Sequence, residues 1–179
     1  MNETAIIKLE ETADSKPKSE AAGWIRFILL LIGVYVFFTY VIGLSIIEGD
    51  SMNPTLETNG VLLSLDVFNQ YEAGDIVIFQ NDYGFSVVKR IIGVPGDTVA
   101  IENGKLLVNG TALEEGYTTG IPDDMIAVQV EDSTYFMLGD NRTPGESLDS
   151  RSAEVGLVSE SDLKGEVVLS LFPLKFSLQ

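Results

Sequence analysis

Apolar and polar positions divide the chain into three stretches of different texture. Residues 1 to 20 mix Glu, Lys, Ser and Thr without periodicity, the pattern of a flexible tail. From Phe27 to Ile47 the run FILLLIGVYVFFTYVIGLSII carries no charge. As a helix its 21 positions would cover about 31 Å at roughly 1.5 Å per residue, enough to cross a bilayer. Beyond Glu48 the texture changes to short β-branched runs separated by Gly, Pro, Asn and Asp, which predicts strands. The candidates are Val61–Leu65, Asp75–Phe79, Ser86–Ile92, Thr98–Glu102, Lys105–Val108, Thr134–Leu138 and Glu166–Phe172. Asn103-Gly104 is a hairpin signal, because a type I′ turn needs positive φ at both central residues. Residues 111 to 133 carry few such signals and are expected to leave the sheet.

The expected organisation is a cytoplasmic tail over 1–23, a transmembrane helix over 24–47, and one mainly β domain of antiparallel sheets over 48–179, outside the cytoplasm. The orientation rests on charge. Lys8, Lys16, Lys18 and Arg26 precede the apolar run, and no Lys or Arg follows it until Lys89, so the positive-inside bias puts the N-terminus in the cytoplasm. Trp24 fits an interfacial anchor at the inner edge. A cleavable secretory signal is the alternative, and Gly43-Leu44-Ser45 offers small residues for it, although the run exceeds the roughly 7–15 residues of a signal core.

Composition narrows the chemistry. The 179 residues contain no Cys and no His, so thiol nucleophiles, disulfides and the usual imidazole base are excluded, and acid–base work falls to carboxylates, lysine or tyrosine. A formal charge of −16 argues against nucleic-acid binding, which needs clustered cations. The same charge disfavours electrostatic docking on anionic lipid, so contact with a bilayer would be hydrophobic. No metal or other cofactor is expected: Asp123-Asp124 lacks the oxygen-ligand spacing of a calcium loop.

Four segments could carry chemistry, and each has a plainer explanation. Glu48-Gly49-Asp50-Ser51-Met52-Asn53-Pro54-Thr55-Leu56 is a turn in composition. It could also present Ser51 Oγ and the Ser51 N–H to one point, as nucleophile and oxyanion donor. Gly74-Asp75-Ile76-Val77-Ile78-Phe79 reads as a core strand. In Val87-Val88-Lys89-Arg90-Ile91-Ile92-Gly93-Val94-Pro95-Gly96-Asp97, alternation places Lys89 on one face with Val87 and Ile91. β-Branched residues on both sides imply burial, which lowers a lysine pKa and frees its lone pair near neutral pH. Arg90 then points the opposite way, into an ion pair. The last segment, Gly139-Asp140-Asn141-Arg142 with Ser147-Leu148-Asp149-Ser150-Arg151, reads as a polar loop tied by Asp/Arg pairs. A serine there could also orient a neutral lysine.

In this order, directly behind an apolar N-terminal span, the four segments resemble type I signal peptidases, and the resemblance covers roughly residues 24 to 175. It implies a Ser/Lys dyad with Ser51 as nucleophile and Lys89 as general base, Ser147 as the serine that orients the lysine, and Asp149 and Arg151 as a structural salt bridge. It also puts Ile47, Gly49, Met52, Leu56, Val87 and Val88 near the substrate, with small shallow pockets that select Ala-X-Ala before the cleaved bond. Two features depart from many relatives: Gly49 stands where they carry Ser or Thr, and Thr143-Pro144-Gly145-Glu146 lengthens the loop before Ser147. The implied substrates are preprotein signal peptides and the implied surroundings a lipid bilayer. The short catalytic part and single span resemble Gram-positive members. Two other readings stay open at this stage, a membrane-tethered β-domain that binds extended peptides without catalysis and a self-cleaving repressor-type Ser/Lys peptidase.

Overall fold

The computed structural model describes residues 20–66, 70–81, 83–176 and 178. Two compact units divide at Thr39 and Tyr40. The first contains helix α1, Glu20–Tyr40, except for its last residue. Its apolar side chains, Trp24 through Phe38, are exposed all round, and Trp24 meets Phe27 edge to face. A helix apolar on every side and exposed along its length suits a lipid surround.

The helix differs from expectation at both ends. Glu20–Gly23 are helical rather than part of the tail, and the rest of the expected tail lies outside the described residues. At the other end the helix stops at Tyr40, and Ile42–Ile46 form strand β1, paired with Val61–Leu65. An unbroken apolar run has no period that separates helix from strand, so the decision falls to tertiary pairing. Gly43 permits that pairing, because a Cβ there would collide with Ser64 Oγ.

The second unit is β apart from one short 3-10 turn, Glu160–Asp162. Its strands are β1, β2 (Val61–Leu65), β3 (Ile76–Gln80), β4 (Ser86–Gly93), β5 (Thr98–Glu102), β6 (Lys105–Val108), β7 (Thr111–Ala112), β8 (Met125–Gln129), β9 (Thr134–Leu138), β10 (Val158–Ser159), β11 (Leu163–Phe172) and β12 (Leu174–Lys175). They form an eight-stranded sheet in the order β1-β2-β11-β3-β4-β9-β10, with β12 against β11, and a four-stranded sheet β7-β6-β5-β8. Every strand ladder is antiparallel. Asn103 and Gly104, at φ 52 and 71, turn β5 into β6, and Asn109-Gly110, at 53 and 77, turns β6 into β7. Residues 111 to 133 are thus not wholly outside the sheets: β7 and β8 are the outer strands of the smaller one.

β4 is the strand that positions the site. It pairs with β3 along Ser86–Arg90, but with β9 only from Arg90 onward. From Lys89 to Gly93 every residue is buried, so both faces are covered and side chains on either face lose water. Three apolar clusters surround it. Ile47, Met52 and Leu56 join Leu62, Ile76 and Ile78 in one; Val77, Phe79 and Ile91 anchor the second; Ile92 enters the third, with Val99 and Phe136.

Candidate active site

Residues 49–56 fold into a tight turn because both its polar and its apolar groups are tied down. The Asp50 carbonyl accepts from Asn53 N at 3.1 Å, the Asp50 carboxylate from Asn53 Nδ2 at 3.0 Å, and the Met52 carbonyl from Leu56 N at 2.9 Å. Met52 and Leu56, four residues apart and both 1% exposed, sink into the core beside Ile47. Gly49 has φ 95, a left-handed value natural to glycine, and its N–H donates to Thr58 Oγ1 at 3.0 Å. Asn141 N–H holds the Ser51 carbonyl at 2.9 Å. Ser51 is thereby fixed through its backbone, with its side chain turned to β4.

Lys89 meets it there. Its Nζ lies 2.8 Å from Ser51 Oγ across 38 residues of sequence and donates to the Val88 carbonyl at 3.0 Å. The lysine is 2% exposed and stands opposite Val77 in the β3–β4 ladder. Burial pushes its pKa from 10.5 down to about 8; the Asp149 carboxylate opposes this, Arg151 reinforces it, and Asp140 opposes it. The outcome is an amine that can take a proton from a hydroxyl it already touches.

The neighbouring arginine goes elsewhere. Arg90 Nε and NH2 donate to the two Asp140 oxygens, NH1 donates to the Gly74 carbonyl and NH2 also to that of Leu178. Asp140 also accepts from Thr55 Oγ1, so the carboxylate ties β4 to the Ser51 turn.

Gly139 is the closest approach in the site. A Cβ at this position would collide with both Ser51 O and Ser147 Oγ, which places the Ser147 hydroxyl across a glycine from the Ser51 backbone. That hydroxyl is buried and makes no full hydrogen bond among the described residues. Asp149 binds Arg151 at 2.7 Å and accepts from Gly139 N–H at 3.1 Å. Burial acts to raise the Asp149 pKa, but the Arg151 guanidinium, the Gly139 N–H and the nearby Ser147 hydroxyl outweigh it and hold the carboxyl below its ordinary range.

The sequence matches the family signal peptidase, peptidase S26, over residues 21–172. Signal peptidase I S of Bacillus subtilis (strain 168) is 35% identical over 159 residues, covering 80% of this chain and 82% of that protein. Signal peptidase I P of Bacillus subtilis subsp. natto is 34% identical over 178 residues, covering 90% and 94%. The chain belongs to the signal peptidase I family. A crystal structure of a signal peptidase I from Enterococcus faecalis V583 aligns with a TM-score of 0.46 at 29% identity, over 54% of this chain and 96% of that one.

As a signal peptidase I the protein is a serine endopeptidase that cleaves signal peptides, and its N-terminal apolar helix fits a membrane anchor. Of the residues expected near the site, Ser51, Lys89, Gly49 and Ser147 gather around one turn, and Asp149 and Arg151 pair behind it. Ile47, Met52 and Leu56 are core side chains beneath the turn, with Val88 half-buried against them; Val87 packs on a different cluster, with Val77 and Ile91. Two residues near this signal peptidase site have no sequence signal at all. Glu115 and Tyr117, from the stretch between β7 and β8, reach Arg142 and Arg90. No periodicity or motif marks them, because their partners are set by the fold alone.

Proposed function

We propose that Ser51 is the nucleophile and Lys89 the general base of a membrane-bound signal peptidase that cuts preproteins after small residues in an Ala-X-Ala pattern. The 2.8 Å approach of Lys89 Nζ to Ser51 Oγ, made by a lysine 2% exposed, carries this reading. Neutral Lys89 takes the Ser51 proton as Oγ attacks the scissile carbonyl, giving a tetrahedral intermediate whose oxyanion is held by the Ser51 N–H. Collapse releases the leaving amine, which takes the proton from Lys89, and leaves an acyl-enzyme on Ser51. Lys89 then draws a proton from water as the water oxygen attacks the acyl carbonyl, and returns it to Ser51 Oγ as the ester bond breaks and the acid product leaves. Ser147 orients the amine, and the Asp149–Arg151 pair holds the loop that carries Ser147. Gly49 contributes no hydroxyl and its N–H is bonded to Thr58, which supports the Ser51 N–H as the main oxyanion donor.

Substrate addition as a strand is supported by β4, whose Ser86–Val88 edge pairs with β3 on one side and lacks β9 on the other. Packing of Ile47, Met52 and Leu56 beneath the turn, with Val88 against them, favours a shallow floor that rejects large side chains. Gly49 lies open beside it, since a Cβ there would meet nothing within 4 Å. Lys8, Lys16, Lys18 and Arg26 favour a cytoplasmic N-terminus, with residues 48–179 as the extracytoplasmic domain.

Detergent-solubilised enzyme and a fluorogenic Ala-X-Ala peptide test the reading. Ser51→Ala, Lys89→Ala and Lys89→Arg should all be inactive, the last because a guanidinium keeps its proton. Processing retained by any of them overturns it, and an inactive wild-type protein that still binds the peptide favours a non-catalytic role.

A further inference from the structure

The segment Gly139–Arg142 holds the nucleophile, yet it follows the end of β9 and has no strand ladder of its own. Besides the Arg90, Thr55 and Asp149 contacts above, it is held by the stretch between β7 and β8. Thr119 N–H donates to the Asp140 carbonyl at 3.0 Å, Arg142 N–H donates to the Thr119 carbonyl at 2.7 Å, and Thr119 and Asn141 form an isolated parallel bridge. Arg142 then folds back: Nε donates to the Gly139 carbonyl at 2.7 Å, while NH1 reaches Glu115 Oε2 at 2.7 Å and NH2 binds Glu115 Oε1. The 139–142 turn is closed around one guanidinium, and Glu115 fixes where that guanidinium sits.

Glu115 is 8% exposed at the side chain and also accepts from Tyr117 OH at 2.9 Å. The Tyr117 ring lies 4.0 Å from the Arg90 guanidinium carbon, a cation–π distance. Burial and the Glu115 carboxylate keep the phenol protonated and donating, well above its ordinary pKa. Two routes therefore leave this pair. One runs through Arg142 and Asn141 N–H to the Ser51 carbonyl; the other runs through Arg90 and Asp140 to Thr55, four residues along the Ser51 turn. They grip the turn at the nucleophile's own carbonyl and again four residues beyond it.

We propose that Glu115 and Tyr117 are positioning residues for Ser51, a clamp supplied by the smaller sheet's connecting stretch that sets the nucleophile against Lys89. This rests on the dyad reading above. The clamp touches neither substrate nor the reacting atoms, so its loss should lower kcat and leave KM largely alone. A displacement of the order of an ångström is enough for a large rate effect.

The test uses the full chain in detergent, with steady-state kinetics on an Ala-X-Ala peptide normalised to the serine-titrated active fraction. Glu115→Gln keeps the shape and removes the charge that holds Arg142; kcat should fall about tenfold with KM within about twofold. Tyr117→Phe keeps the ring under Arg90 and should stay within about threefold of wild type, whereas Tyr117→Ala should fall about tenfold or more. A purely structural role would reduce the active fraction and the unfolding midpoint but leave normalised kcat unchanged. Unchanged normalised kcat in Glu115→Gln, or a loss confined to KM, overturns the clamp. Ser51→Ala measured alongside separates the two ideas: if it is dead, the kinetics judge the clamp alone, and if it is active, dyad and clamp fall together.

Discussion

Arg90 holds Asp140 through both carboxylate oxygens, at 2.9 and 2.8 Å, one residue along β4 from Lys89. The two side chains are 1% and 0% exposed, so neither charge has water to fall back on. Asp140→Ala should destabilise the β-domain by about 3–5 kcal/mol, because it leaves a buried guanidinium unpaired. Arg90→Lys should rescue little, since an ammonium cannot reproduce the forked contact. Denaturant unfolding of the purified variants checks both. In the Asp140→Asn protein that remains folded, the acid limb of the pH profile should move to lower pH, because the Asp140 charge acts to raise the Lys89 pKa.

The Lys89 pKa of about 8 makes two pH predictions. With Lys89 as the proposed general base, activity requires the neutral amine, so kcat/KM should rise with pH and reach half its plateau near pH 8, with about one-tenth of that plateau at pH 7. Stability carries the opposite face of the same shift. Between about 8 and 10.5 the unfolded chain binds the proton that the folded lysine has lost, so stability rises with pH across that window. Below it the folded protein bears the full cost of a buried ammonium. Lys89→Met should therefore gain stability below pH 8, by about 2–4 °C per kcal/mol recovered, and the gain should shrink toward pH 10.5. Thermal melts at several pH values decide it; a gain that grows with pH would contradict the assignment.

Gly139 and Ser147 offer a paired test. Gly139→Ala pushes a methyl against Ser51 O and Ser147 Oγ together. It should fold with a loss of about 1–3 kcal/mol and lose activity out of proportion to that. Ser147→Ala removes a buried hydroxyl that has no full partner, so its stability should change by less than about 1 kcal/mol. Its kcat should nevertheless fall at least about tenfold if the hydroxyl orients the lysine. Equal activity in Ser147→Ala and wild type would remove that role.

Much of this was legible where local chemistry decides the outcome. Val61–Leu65, Thr98–Glu102, Lys105–Val108 and Thr134–Leu138 have strand boundaries that the sequence pattern predicts. Asn103-Gly104 turns as its backbone preferences require. The burial of Lys89 follows from the β-branched residues around it, and the opposite direction of Arg90, into its buried ion pair, from alternation. The failures share a different cause. Ile42–Ile46 is too uniformly apolar to declare its period, and β8 reads MIAVQ, which is mostly exposed and so lacks a clear buried face. Glu115 and Tyr117 owe their positions to arginines 27 residues away in sequence or on another strand, and no local pattern encodes such a partner. Adjacent residues Val87 and Val88 pack on different clusters, as alternation along one strand requires.

The central claim is that Ser51 is activated by Lys89, and covalent labelling tests it most directly. Full-length enzyme in detergent is treated with an Ala-X-Ala peptide bearing a serine-reactive phosphonate, digested, and mapped by mass spectrometry. The account predicts a single adduct, on the peptide containing Ser51, forming faster as pH rises through about 8 and lost in Lys89→Met. An adduct on any other residue, or labelling of Ser51 at an equal rate in Lys89→Met, would contradict it.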